Sequence, residues 1–258
     1  MIEGEGGQPD ESRAEATAMI VSTMAATLTL ARALVIAGHR IDLDGVEREI
    51  GDLCAETVAL PREEGRMLKP ALENLLREVE ALEADLAAFL GCDAALVFAS
   101  GHATNVTAIA TLVGPEDIIV HDRLAHDSLL MGARLSGARR VAFPHNDLDA
   151  LERTLRGARG SARRALIIVE GAYSMDGDLC PLRELVELKR RHGALLFVDE
   201  AHSLGVVGRS GRGVGEHAGV ARGDVDVWMG TLSKALASCG GYVAGSRALG
   251  DLIRYRGG

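Results

Sequence analysis

The sequence predicts an α/β protein, a mostly parallel β-sheet with flanking helices, preceded by an α-helical segment. Three observations predict it. From residue 94 onward, short runs rich in Val, Ile and Leu alternate with amphipathic stretches. The charge balance breaks near Gly91: residues 1–90 hold 18 acidic and 8 basic side chains, residues 91–258 hold 19 and 20. Before that break, apolar residues recur at three- and four-residue spacing, the period of a helix.

The elements follow in order. Residues 1–13 are Gly-rich and acidic and are expected to be a disordered tail. Residues 14–80 form the predicted helical segment. Its first helix runs from Ala16 to Ala37, with Gly38 as C-cap. Arg32 and five Ser or Thr residues interrupt its apolar character, and its flank is acidic, which argues against a membrane span or signal peptide. Leu43, Val46, Ile50 and Leu53 mark a second helix, with Asp42 or Asp44 as N-cap and Pro61 beyond its end. Leu72, Leu75, Leu76, Val79, Leu82, Leu86 and Phe89 mark a third, with Pro70 near its start and Gly91 after it.

The expected strands are Ala95–Phe98, Asp117–Val120, Arg140–Phe143, Ala165–Val169, Leu195–Val198, Val225–Met229 and Tyr242–Ala244. They are apolar at consecutive positions, as strands buried on both faces must be. Ligands of such sheets sit beyond the carboxyl ends of the strands. Candidate chemistry is therefore sought where each run stops.

Composition narrows the field. With 47% hydrophobic and 25% charged residues, the chain is neither disordered, collagenous nor a coiled coil. The net charge of -9 argues against nucleic-acid or anionic-membrane binding. Four cysteines without a C-x-x-C pair suggest reduced thiols. There are 25 Arg but only three Lys (Lys69, Lys189 and Lys234), so lysine chemistry has few candidates.

Five strand ends carry polar motifs. Ser100-Gly101-His102 opens a helix, and a helix N-terminus suits a phosphate; an ordinary tight turn is the plainer alternative. His126 begins the next helix and, taken alone, reads as a capping histidine. Glu170 to Asp178, containing Ser174, reads alone as an acidic turn. Asp199-Glu200-Ala201-His202 sets an acid and a histidine over one strand end. A nucleotide triphosphatase presents a similar acid pair, but no G-x-x-x-x-G-K-[ST] loop accompanies it here. Thr231-Leu232-Ser233-Lys234 puts a lysine just past a buried strand, where partial burial would favour the neutral amine that Schiff-base chemistry requires. The glycines at 208, 211, 213 and 215 follow a loop rather than a strand and read as a flexible loop over the site.

Together the stretches ALVFASGHATN, HDRLAHDSL, FPHNDLDALE, VEGAYSMDGD, VDEAHSLGVVG and MGTLSKALASCGGYVAGS resemble the α-oxoamine synthases. These are pyridoxal-phosphate enzymes of the class I/II aminotransferase type, with the fold type I architecture. The resemblance runs from about Leu82 to about Arg254. It implies that residues 81–258 form an incomplete large domain lacking the family's small C-terminal domain. His102 stands where the family usually has an aromatic residue.

The resemblance implies the site. Lys234 matches the lysine that forms a Schiff base with pyridoxal 5'-phosphate and then serves as acid and base. Asp199 matches the acid paired with the ring nitrogen. His202 and Ser174 match groups near the phenolic oxygen, and His126 matches the imidazole stacked on the ring. Ser100, Gly101, His102 and Thr231 match the phosphate cradle. Lys234, His126, Asp199 and His202 are the catalytic candidates, and no metal is expected. The implied activity is a decarboxylative condensation of an amino acid with an acyl-thioester, such as acyl-CoA, to give an α-aminoketone. The implied setting is a cytoplasmic homodimer. A fragment with weak cofactor binding and poor turnover, a non-catalytic binding protein, and an aminotransferase or aldolase are the alternatives.

Overall fold

The computed structural model describes residues 17, 19–23, 62–158 and 160–257. The chain divides into two compact units, Met1–Leu82 and Glu83–Gly258. In the first, residues 17 and 19–23 are helical. Helix α1 (Arg62–Leu90) begins there. Val21 packs against Ala71 and Leu75. The expected start of α1 near Pro70 is corrected: eight helical residues precede the proline. A proline inside a helix removes one backbone hydrogen bond. The apolar stripe nevertheless runs through it, with Leu68 fully buried on one side and Ala71 and Leu75 partly buried on the other. The expected tail 1–13, most of the Ala16–Ala37 helix and the Leu43–Leu53 helix lie outside the described residues.

In the second unit a seven-stranded sheet is built from β1 (Ala94–Phe98), β2 (Ile118–Asp122), β3 (Arg139–Phe143), β4 (Ala165–Glu170), β5 (Leu195–Asp199), β6 (Val227–Thr231) and β7 (Gly241–Gly245). Its order is β1-β7-β6-β5-β4-β2-β3. Strands β3, β2, β4, β5 and β6 pair in parallel, while β7 runs antiparallel between β6 and β1. The connection lengths explain this. Helices α2 (Gly101–Leu112), α3 (Asp127–Leu135), α4 (Leu148–Ala158) and α5 (Leu182–His192) lie between successive strands from β1 to β5. The β5–β6 crossover carries the short helix α6 (Val214–Ala218). Residues 232–240 are too short a link for a parallel crossover, so β7 turns back. Helix α7 (Arg247–Arg256) follows.

Local chemistry sets the boundaries. The Ser100 hydroxyl caps α2 by accepting from the Ala103 N–H. Helix α5 ends with Lys189, Arg190, Arg191 and His192 against its negative pole, then stops at left-handed Gly193. The core lies around Ile109, Ile119, Leu129, Leu166, Phe197 and Val243. The expected burial of both faces is corrected for β3, where Arg139, Arg140 and Ala142 are exposed. As the last strand of the sheet it has a partner on only one side, and arginines there guard an open edge.

One close approach matters for the site. A Cβ at Gly132 on α3 would lie 2.8 Å from the Asn105 carbonyl oxygen on α2. The bare glycine lets these helices meet backbone to backbone. Among the described residues no helix is long and apolar enough to cross a membrane, and Cys92, Cys180 and Cys239 form no disulfide.

Candidate active site

Strands β4 and β5 end side by side, with Glu170 registered against Asp199. Both carboxylates are buried. Asp199 Oδ1 accepts from the Ala201 N–H at 2.9 Å, and its Oδ2 accepts from Asn105 Nδ2 at 2.9 Å. Glu170 Oε1 accepts from the His126 N–H at 2.7 Å. Burial, and then the neighbouring Asp199 charge, push the Glu170 carboxyl up to about 7. Two acids this close favour a state in which one is ionised and the other keeps its proton.

Beyond β5 and β6, Lys234 Nζ lies 2.9 Å from His202 Nε2. The His202 imidazole is held below its ordinary range, first by burial and then by the Lys234 charge, against the pull of Asp199. His126 acts on it in the same downward direction. His126, Asp199 and Lys234 are thus all within electrostatic reach of His202. His126 is also the N-cap of α3: its Nδ1 accepts from the Ser128 N–H at 3.2 Å. The plain reading of this residue as a cap is correct.

The start of α2 makes a cradle. A Cβ on Gly101 would come 3.1 Å from Thr231 Oγ1, and one on Gly241 would come 2.8 Å from the Gly101 Cα. Thr231 Oγ1 accepts from the Ser233 N–H and donates to the Gly240 carbonyl. Backbone N–H groups at a helix start, with a threonine hydroxyl alongside, suit a phosphate. A primary amine, an acceptor-only carboxylate and this cradle form the donor set that a phosphorylated carbonyl cofactor with a basic ring nitrogen requires. His102 and Ser174 are exposed, on α2 and on the turn after β4, and neither is hydrogen-bonded to the other candidates.

The glycine-rich stretch after His202 is held rather than loose. The Gly205 N–H donates to the Gly211 carbonyl, and the Gly213 N–H to the Val207 carbonyl. The Glu216 carboxylate accepts from the N–H groups of Ser210 and Arg212. This corrects the expected flexible loop. Gly205 instead abuts Ala235, next to the lysine, where a Cβ would meet the alanine methyl at 2.4 Å.

Sequence reasoning gave no role to Asn105, Ser128 or Glu170. Asn105 had a signal: on α2 it shares the buried face with Ala108, Ile109 and Leu112, where an amide needs a partner. It also missed a second cluster beside the first. His145 Nδ1 lies 2.9 Å from Asp122 Oδ1, and its Nε2 2.7 Å from Asp178 Oδ2. Burial opposes a charge on His145, but the two carboxylates outweigh it and raise the imidazole above its ordinary range. Tyr173 meets the His145 ring edge-on at 4.5 Å between centroids.

Comparison with known proteins follows this geometry. Residues 75–256 match the family "Aminotransferase class I and II". The 8-amino-7-oxononanoate synthase of Geobacter sulfurreducens is 54% identical over 176 residues, covering 68% of this chain and 44% of that protein. That of Pelobacter propionicus is 52% identical over 177 residues, covering 69% and 45%. The chain thus spans less than half the length of these relatives. Among solved structures, Sphingomonas wittichii serine palmitoyltransferase is 39% identical with a TM-score of 0.65, covering 68% of this chain and 44% of that one. The S. paucimobilis enzyme with a bound PLP–myriocin aldimine is 36% identical with a TM-score of 0.64, covering 67% and 43%. A family match over most of the chain, on a sheet of the same form, leads to one conclusion: the chain belongs to the class I and II aminotransferase family, in its α-oxoamine synthase branch.

Proposed function

We propose that residues 81–258 are the cofactor-binding domain of a pyridoxal-phosphate-dependent acyltransferase, and residues 14–80 a separate helical segment. The reaction would condense an amino acid with an acyl-thioester such as acyl-CoA, with loss of carbon dioxide, to give an α-aminoketone. The expected setting is a cytoplasmic homodimer. The observation that carries this reading is the Lys234 amine 2.9 Å from His202 beside buried Asp199, with the α2 cradle on the same rim. Relatives named 8-amino-7-oxononanoate synthase support the reaction class.

When bound, pyridoxal phosphate supplies an electron sink for a carbanion at the amino-acid Cα. Every other task falls to the chain. Asp199, accepting from Asn105 and the Ala201 N–H, would keep a proton on the ring nitrogen. His202 accepts a hydrogen bond from Lys234 Nζ at Nε2 and would leave its other ring nitrogen for the phenolic oxygen. Lys234 is exposed, which corrects the expected partial burial, and would move a proton to and from Cα. Ser100, Gly101, His102 and Thr231 would hold the phosphate, and Ser174 would lie near the phenolic oxygen. His126 would cover one ring face and exclude water from it.

Purified protein mixed with pyridoxal phosphate should develop a visible absorption band that Lys234→Ala abolishes. Alanine, glycine or serine with acyl-CoA should then release free thiol. A band without thiol release would leave a cofactor-binding protein, and no Lys234-dependent band at any cofactor concentration would remove the reading.

A further inference from the structure

We propose that Asn105 and Ser128 are positioning residues that couple Asp199 to His126 and lock the His126 imidazole in one neutral tautomer, with its proton on Nε2. The bearing of this lock on catalysis rests on the function proposed above; the lock itself does not.

Four hydrogen bonds carry it, each with its polarity fixed by the one before. Asp199 already accepts from the Ala201 N–H at Oδ1, and a carboxylate oxygen such as its Oδ2 can only accept. The Asn105 amide must therefore turn Nδ2 toward it, at 2.9 Å. The second Nδ2 hydrogen then points to Ser128 Oγ, also at 2.9 Å. With a lone pair used there, the Ser128 hydroxyl directs its hydrogen to His126 Nδ1, 2.8 Å away. The Ser128 backbone N–H, which can only donate, reaches the same nitrogen at 3.2 Å. Nδ1 thus receives two donors and has no room for a proton of its own, so the ring proton belongs on Nε2.

Burial makes the chain one-way. Asn105 is 2% exposed and Ser128 1% exposed, so a turned amide or hydroxyl would leave a buried polar group without its partner. The contact between α2 and α3 at Gly132 holds both side chains at this spacing. The His126 backbone is pinned independently by Glu170 Oε1. The ring therefore has little freedom except through the Ser128 contact. The consequence is non-local: Asn105 does not touch the imidazole, yet its amide decides which way the Ser128 hydroxyl points.

Nitrogen-15 NMR of the histidine rings in the cofactor-free protein tests this, with His126→Gln to assign the signals. The wild type should show Nδ1 as an unprotonated acceptor and Nε2 as protonated. In Ser128→Ala and in Asn105→Ala the two ring-nitrogen shifts should move toward each other as the second tautomer is populated. Unchanged His126 shifts in both variants would overturn the proposal. So would a proton on Nδ1 in the wild type, a result that needs no variant to fold. Because no cofactor is added, the outcome is independent of whether pyridoxal phosphate binds.

Discussion

His145 and His202 stand beyond strands of the same sheet, and their surroundings push them in opposite directions. His145 lies between the carboxylates of Asp122 and Asp178, which raise it. His202 lies against a lysine, and burial together with that positive charge lowers it. Position on a fold does not set a histidine's task. The first ring bridges Asp122 at the end of β2 to Asp178 in the turn after β4. The second is disfavoured as a cation and accepts a hydrogen bond from the Lys234 amine. The same side chain thus serves as a structural clamp in one place and as a hydrogen-bond acceptor for an amine 57 residues later.

The largest effect that would break this comparison is on stability. His145→Ala leaves the fully buried Asp122 without its imidazole partner. Losing a hydrogen bond to a charged group costs on the order of 2–3 kcal/mol, seen as a fall in thermal midpoint of about 5–10 °C for a domain of this size. Calorimetry should show it, with the Lys234-dependent visible band surviving at moderate temperature. A change within about 0.5 kcal/mol, the range of a neutral surface substitution, would make His145 a bystander.

Next comes the pH dependence of stability. The folded state raises His145, so its contribution is complete below the unfolded imidazole value of about 6.5 and is lost as pH rises through the higher folded value. Glu170 acts in the same direction. Its carboxyl is raised to about 7, so its contribution is full below about 4.5 and lost as pH rises toward about 7. Urea unfolding between pH 4.5 and 8 should show Glu170→Gln flattening the acid side of the slope, with His145→Ala flattening the neutral side. Parallel profiles for wild type and Glu170→Gln would show that burial and the neighbouring Asp199 do not raise this carboxyl.

The smallest stability effect is expected at His202. The ring is only half-buried and its partner Lys234 is exposed, so His202→Asn should cost about 1 kcal/mol or less. Its effect should appear instead in the pH dependence of the Lys234-dependent band. Loss of the neutral acceptor should shift that midpoint, while the same substitution at His145 leaves it in place. Identical midpoints in both variants would erase the functional half of the contrast.

Much of this was legible in the chain itself. All seven apolar runs became strands, because consecutive β-favouring apolar residues suit a covered sheet. The residues at their carboxyl ends, Asp199, His202 and Lys234 among them, were marked by abrupt polarity after such runs. Pro70 misled because the apolar stripe continues on its N-terminal side to the fully buried Leu68. The β3 run misled because consecutive Val, Ala and Phe do not say whether a strand has one neighbour or two.

Periodicity and strand-end chemistry, both local, were therefore determined by the sequence alone: an α/β sheet, its elements, and the rim where chemistry gathers. Only the tertiary structure decided the strand order, the turning back of β7, and the partners of the buried polar groups. Asn105 lies 94 residues from Asp199 along the chain, and His145 33 residues from Asp178. Hydrogen-bond polarity and pKa depend on which groups face each other across a few ångströms of water-poor space. That proximity exists only once the helices and strands have packed.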